Sequence, residues 1–216
     1  GDDGVTVKWA HSLWTLAQLR ELIDTWRKLR CGDARVVGDK LWMYWVSRDR
    51  VRELFPACKF VYCYRHPLDQ ISSFVALGAD WLAPTGTTAS IGAFLDALRR
   101  QADDVEEARD ADDVIPVPFE NLAQARSRLA IVETVWKCLG VEVDAKSLAR
   151  VGSAAYDGKP GAIGRWRTCP TIAKHLSALT TGQLDVVLFA LDRMGYDADS
   201  ATLQALLATA QRGRSL

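Results

Sequence analysis

Arg65 and Ser73 are the residues of this chain whose types and spacing best suit the binding of a phosphate group. Arg65 follows a run of aromatic and β-branched residues, and Pro67 suits the first turn of a following helix. Ser73 comes nearly two turns later, near the helix face that Asp69 shares. A guanidinium and a hydroxyl beside a helix N-terminus can clamp a phosphate, because the exposed N–H groups also attract anions. The alternative is an arginine that caps the strand edge and pairs with Asp69.

The composition indicates a folded protein without a global electrostatic field. The chain has 216 residues, of which 49% are hydrophobic, and its 27 basic residues balance 27 acidic ones. This balance favours neither nucleic acid nor a membrane surface as a partner. No apolar run approaches the roughly 20 residues that span a bilayer. Residues 1–4 show no signal segment and no initiator Met, so we expect the native chain to begin upstream.

The cysteines predict a reducing, cytoplasmic environment. There are five of them, an odd number, and no C-x-x-C pair occurs. Free and mostly buried thiols are the plain interpretation, with a structural disulfide or a metal site as the alternative. No ligand cluster stands out, so we expect no metal.

The hydrophobic pattern predicts alternating strands and helices within a single domain, residues 1–216. Apolar residues at three- and four-residue steps, together with capping glycines and prolines, mark the helices. The predicted helices cover roughly residues 12–30, 49–55, 67–75, 91–105, 129–139, 181–193 and 201–211, and the predicted strands 34–38, 59–64 and 114–118. Such an order predicts an α/β fold with a parallel sheet covered by helices. Three strands are few for that fold, which suggests N-terminal sequence beyond this chain.

Four segments resemble, in the correct order, motifs of the sulfotransferases that use 3′-phosphoadenosine 5′-phosphosulfate. The central one is the R-x-P-x-D-x-x-x-S pattern that begins at Arg65. The others are 38–40 with 54–60, 117–122 with the Leu-Gly-Val of 139–141, and the loop 159–167. The resemblance covers about residues 35–197. It implies a P-loop nucleotide-kinase-like parallel sheet flanked by helices, apparently incomplete at its N-terminus.

The resemblance also implies roles for individual residues. Arg65 and Ser73 would hold the 3′-phosphate of the nucleotide. Lys159 and Gly161 would add a charge and a close backbone approach to the same site. Phe119 stands where the family has a tyrosine that contacts the adenine, so the ring contact is kept and the hydroxyl contact is lost.

Lys40 is the catalytic residue that the resemblance implies. In sulfuryl transfer, negative charge develops on the leaving phosphate oxygens, and an ammonium group aimed there stabilises the transition state. The alternative is a lysine that pairs with Asp39 on a loop.

The family's donor loop, of the type P-K-S-G-T-T after a strand, has no counterpart upstream of residue 35. Residues 84–88 have similar letters but follow the 3′-phosphate segment and no convincing buried strand. We therefore interpret residues 80–88 as a loop, with residues 87–90 starting the helix that contains Phe94. Either the native protein supplies the loop further upstream, or the chain is a truncated or inactive relative.

Several residues keep two interpretations. Trp166 packs near the nucleotide base or in the core, and Glu120 is a structural carboxylate or a general base. His66 is a turn residue or a general base. Trp42, Trp45 and Trp81 line an acceptor pocket or pack helices together.

The sequence thus predicts transfer of a sulfuryl group to a hydroxyl or amine of a small molecule or glycan. The nucleotide product would be adenosine 3′,5′-bisphosphate. A rival hypothesis is a non-catalytic 3′-phosphonucleotide-binding or scaffold protein that has lost the donor loop. A phosphotransferase of related fold would need a G-K-[ST] loop, which the chain lacks. The acceptor and the oligomeric state leave no signal.

Overall fold

A computed structural model describes residues 48–76, 89–142, 144–153, 163–168 and 179–197, together with isolated positions 18, 20, 21, 24, 25, 28, 29, 36, 176 and 208. The chain divides into two compact units, residues 1–58 and 59–216. The prediction of one domain over residues 1–216 stays a prediction.

The first unit contains helix α1 (Arg48–Leu54), which ends just before Pro56, as predicted. The described positions between 18 and 29 are all helical, in agreement with the helix predicted over roughly 12–30. The predicted buried strand at 34–38 is wrong at Val36, its one described residue. Val36 has no regular secondary structure, and 40% of its surface is exposed.

Two parallel strands form the sheet of the second unit. Strand β1 (Phe60–Tyr64) pairs with β2 (Val114–Pro118), and Tyr64 lies opposite Pro118. The aromatic and β-branched residues of β1 favour this extended conformation. Within the described residues β2 pairs with β1 alone, which agrees with an edge position for a strand that contains two prolines.

Two helices connect these strands, since parallel strands require a crossover. Helix α2 (Pro67–Ala76) begins with the proline at its first turn, and α3 (Ala89–Asp110) follows. Both helices fall where the hydrophobic pattern predicted them. This order of strand, two helices and strand gives a helix-rich α/β structure with a two-stranded parallel sheet within the described residues, which agrees in part with the predicted fold class. The larger nucleotide-kinase-like sheet stays a prediction.

Five more helices follow β2 in the described residues. They are α4 (Phe119–Ala123), α5 (Ala125–Cys138), α6 (Ala145–Ser153), α7 (Arg165–Thr168) and α8 (Thr181–Arg193). The sequence pattern predicted α5 and α8 but not α4, α6 or α7. Helix α8 begins with a capping box, in which Thr180 and Gln183 each accept a backbone N–H of the other. The turn after it contains Gly195, whose φ of 77° suits glycine.

The core of the second unit lies between α3, α8, α2 and the strands. Helix α3 packs against α8 and against both strands, while α2 packs against α7 and α8. Its buried members lie in β1, α2, α3, α7 and α8 or in the chain on either side of α8: Tyr64, Leu68, Ile71, Leu95, Leu98, Ala102, Val105, Trp166, Leu176, Leu179, Leu184, Val187, Ala190, Leu191 and Met194. Because this core encloses the first turns of α2, it fixes the position of the segment that follows β1.

Candidate nucleotide site

The carboxyl ends of β1 and β2 bring the candidate residues to one edge of the sheet. Arg65 and His66 follow the last residue of β1, while Phe119 and Glu120 follow the last residue of β2. Ligands bind at this edge in open α/β sheets. The four side chains therefore lie where a nucleotide site is expected.

Arg65 is held in place by three groups. Its Nη1 donates a hydrogen bond to Ser73 Oγ (3.1 Å), and its Nη2 lies 4.0 Å from Asp69 Oδ2. The guanidinium carbon also lies 5.4 Å from the centroid of the Phe119 ring. The side chain is 23% exposed, so it is positioned without being sealed from solvent. Both interpretations of Arg65 are thus seen in the geometry: it meets Ser73 and it approaches Asp69. Its contact with a phosphate stays a prediction.

Asp69 is a fully buried carboxylate that reaches across to the segment around α7. Its Oδ2 accepts the backbone N–H of Gly164 (2.7 Å), and its Oδ1 accepts that of Trp166 (3.2 Å). These bonds satisfy both oxygens, as a buried charge requires. The end of the predicted loop 159–167 is therefore fastened to helix α2.

Trp166 lies in the core with 3% of its surface exposed. Its ring stacks on His66, with centroids 5.5 Å apart and planes 22° apart, and the Arg167 guanidinium carbon lies 5.0 Å from its centroid. This geometry agrees with the core interpretation of Trp166. A contact with the nucleotide base stays a prediction.

His66 forms the turn between β1 and α2. Its Nδ1 accepts the backbone N–H of Leu68 (3.2 Å), in the manner of a helix N-cap, and its own backbone N–H donates to Glu120 Oε1 (2.9 Å). Burial lowers the pKa of the imidazole below its usual value, although the nearby carboxylates of Asp69 and Glu120 oppose this effect. The neutral ring is the form that can accept at Nδ1, so the contact and the pKa agree. The general-base interpretation stays untested.

Glu120 connects three segments of the chain. While Oε1 accepts from His66, Oε2 accepts the hydroxyl of Tyr196 (2.6 Å), which follows α8. Burial and this carboxylate raise the pKa of Tyr196, so its hydroxyl remains a donor. Each carboxylate oxygen of Glu120 thus accepts a hydrogen bond from another segment, which agrees with its interpretation as a structural carboxylate.

Three predicted site residues lie outside the described residues, namely Lys40, Lys159 and Gly161. The three tryptophans proposed for an acceptor pocket, Trp42, Trp45 and Trp81, also lie outside them. Their roles stay predictions. The structure brings together Arg65, Ser73 and Phe119 from the predicted set.

Sequence reasoning missed three contributors to this site. The sequence pattern assigns no role to Tyr196, whose contact with Glu120 spans 76 residues, beyond any local pattern. Asp69 was considered only as a partner of Arg65. Arg167 was quoted within the loop motif but given no role, although its charge acts on His66 together with that of Arg65.

The chain belongs to the sulfotransferase family. The model of that family matches residues 10–145, well over half of the chain, and this confirms the predicted family. The match includes the Arg65–Ser73 segment and Glu120 but ends before the loop 159–167, whose assignment therefore depends on the resemblance alone. No curated protein matches the chain significantly, and no solved structure does.

The described part of the chain also bears on two other types of site. No group of three or more His, Cys, Asp or Glu side chains in that part of the chain is arranged to hold a metal ion. None of its helices combines the length and apolar character needed to cross a bilayer.

Proposed function

We propose that this protein transfers a sulfuryl group from 3′-phosphoadenosine 5′-phosphosulfate to a hydroxyl or amine of a small molecule or glycan. Family membership supports sulfuryl transfer in general. The donor nucleotide is supported by one observation above all: Arg65 and Ser73 meet at 3.1 Å at the carboxyl edge of β1.

The residues present fit the 3′-phosphate of that donor. A phosphate oxygen can accept from both a guanidinium and a serine hydroxyl, and charge-assisted bonds of this kind are the stronger ones. Arg65 keeps part of its surface exposed, and its orientation is fixed by Ser73 and Phe119 before any ligand arrives. Such preorganisation reduces the entropy lost on binding.

In this proposal the donor supplies an activated sulfuryl group, and the protein supplies position and charge. Arg65 and Ser73 hold the 3′-phosphate, and Lys159 and Gly161 add to that site. The acceptor oxygen or nitrogen attacks sulfur, the bond from sulfur to the bridging phosphate oxygen breaks, and the acceptor proton passes to a base. Lys40 stabilises the charge that develops on the departing phosphate, as electrostatic catalysis requires.

The ring of Phe119 contacts Arg65 and is also proposed to contact the adenine of the donor. In the family resemblance its ring meets the adenine, whereas in the structure one contact of the ring is with the Arg65 guanidinium. An aromatic ring has two faces, so a cation on one face leaves the other for a base. We therefore retain Phe119 as an adenine contact.

The proposal is tested by calorimetry with adenosine 3′,5′-bisphosphate, the nucleotide product, beside adenosine 5′-monophosphate, which lacks the 3′-phosphate. We expect the bisphosphate to bind more tightly, because only it can reach Arg65 and Ser73. Equal affinities, or no binding of either at millimolar concentration, would contradict a 3′-phosphate site.

Turnover separates the enzyme from the rival hypothesis. Release of the bisphosphate from the sulfated donor, measured with a panel of hydroxyl and amine acceptors, is expected for the enzyme. Selective binding with no turnover on any acceptor would favour the non-catalytic nucleotide-binding protein instead.

A further inference from the structure

Asp69 stands between two parts of the candidate site. It lies on α2 one turn after Arg65, and 1% of its side chain is exposed. Its carboxylate accepts the N–H groups of Gly164 and Trp166, which lie 95 and 97 residues further along the chain. Helix α7 accordingly packs against α2.

These hydrogen bonds use donors that would otherwise attract a ligand. Exposed N–H groups at the start of a helical turn favour an anion. Here the anion is the carboxylate of the protein itself, which accepts the N–H groups of Gly164 and Trp166. The N–H groups of Gly164 and Trp166 are therefore already used and do not contribute to the binding of a nucleotide phosphate.

We propose that Asp69 is a positioning residue that fixes residues 164–166, at the end of the loop motif, relative to Arg65 and Ser73. This inference depends on the proposed function, in which Lys159 and Gly161 bind the same phosphate. Gly161 lies three positions before Gly164, and three Cα-to-Cα steps span at most about 11 Å. Fastening Gly164 to α2 therefore limits where the preceding residues can present their N–H groups and charge.

Gly164 shows that the attachment depends on backbone shape as well as on charge. Its φ is 66°, in the left-handed region that disfavours other residues. A Cβ at this position would also displace the end of the Arg167 side chain, whose Nη1 would lie 2.9 Å away. Gly164→Ala thus disturbs the same attachment from the loop side, while Asp69 and its approach to Arg65 stay unchanged.

Three variants separate positioning from simple electrostatics. Asp69→Asn keeps the shape of the side chain but replaces one acceptor oxygen by an NH₂ group. This group cannot accept a hydrogen bond from the backbone N–H that faces it. It also removes a negative charge beside the phosphate, so electrostatics alone predicts tighter binding of adenosine 3′,5′-bisphosphate. Positioning predicts weaker binding. The control is Ser73→Ala, which removes a contact of Arg65 and leaves the loop attachment intact.

The first measurement needs no ligand. Trypsin cleavage after Arg165 and Arg167 is followed by mass spectrometry on the full chain. Because cleavage reports local opening, we expect it to accelerate about tenfold in Asp69→Asn and Gly164→Ala, which corresponds to about 1.4 kcal/mol. We expect no acceleration in Ser73→Ala. Cleavage at the wild-type rate in Asp69→Asn and Gly164→Ala would show that these hydrogen bonds do not hold the loop, which refutes the inference.

The second measurement is calorimetry with the bisphosphate and with adenosine 5′-monophosphate. We expect the dissociation constant of the bisphosphate to rise about tenfold in Asp69→Asn and Gly164→Ala, the scale of one charge-assisted hydrogen bond. That of the monophosphate should not change. A purely structural defect would weaken both ligands alike, so loss of both would refute a role in positioning.

The outcomes distinguish this inference from the proposed function. If the wild-type protein selects the bisphosphate and Asp69→Asn binds it equally or more tightly, the positioning role is wrong and the proposed function stands. If the wild-type protein does not select the bisphosphate, both fail. Should Asp69→Asn not fold, as judged by circular dichroism, Gly164→Ala decides by the same criteria.

Discussion

Replacing Arg65 by alanine tests the nucleotide site most directly, because its effects on binding and on stability should differ. The variant removes the hydrogen bond to Ser73 and the guanidinium near Asp69. Asp69 keeps its two backbone donors, so no buried charge is left without hydrogen bonds. We therefore expect the free energy of unfolding to fall by only about 1 kcal/mol, the net contribution of the one lost hydrogen bond.

Binding should change much more than stability. A hydrogen bond to a charged group contributes about 1.5–3 kcal/mol. Arg65→Ala should therefore weaken the binding of adenosine 3′,5′-bisphosphate by about 10- to 150-fold. The affinity of Arg65→Lys for the bisphosphate should lie between those of Arg65→Ala and the wild-type protein. An ammonium group keeps the charge but lacks the planar fork of the guanidinium.

The matched control is Arg100→Ala, which removes the same charge from an exposed position on α3. Isothermal titration at two salt concentrations is the assay, because only a direct contact survives screening at higher salt. An unchanged affinity in Arg65→Ala, or an equal loss in Arg100→Ala, would refute the assignment of Arg65 to the phosphate.

Three further predictions concern the contacts that hold this edge of the sheet. Gly195→Ala should lower the free energy of unfolding by about 1–2 kcal/mol in thermal denaturation, because its φ of 77° lies in the left-handed region that disfavours other residues. Its control, Gly182→Ala, adds a Cβ in open space and should not lower the free energy of unfolding. Tyr196→Phe should cost about 1–2 kcal/mol through the lost bond to Glu120, and strictly additive effects with Glu120→Gln in urea unfolding would show that the two do not interact. The lowered pKa of His66 means that the unfolded chain binds the proton more readily, so stability should fall as the pH decreases from about 6.5 through the native pKa. His66→Asn keeps a capping acceptor, and its free energy of unfolding should depend less steeply on pH than that of the wild-type protein. The same dependence on pH in both proteins would contradict the burial of a neutral imidazole.

Local patterns were sufficient for the elements that carry Arg65 and Ser73. Strand β1 is short, aromatic and bounded by prolines, and α2 starts at Pro67, so their ends could be predicted closely. Because Arg65 and Ser73 lie on adjoining elements only eight residues apart, their proximity was also predictable. This is the part of the site that depends on local sequence alone.

Long-range contacts could not be predicted in this way. The carboxylate of Asp69 has the same local sequence whether it accepts from Arg65 or from N–H groups 95 residues away. Helix α7 has four residues, too few to show a helical period, and α4 has five. These elements exist because tertiary contacts hold them, and only the folded chain shows those contacts.

The contact between Glu120 and Tyr196 has an evolutionary consequence. The phenol and the carboxylate depend on each other, since a half-buried carboxylate that loses its donor has an energetic cost and a half-buried phenol that loses its acceptor does too. Substitutions at these two positions should therefore arise together across species. Members of this family that have an apolar residue at one position should seldom keep the polar partner at the other.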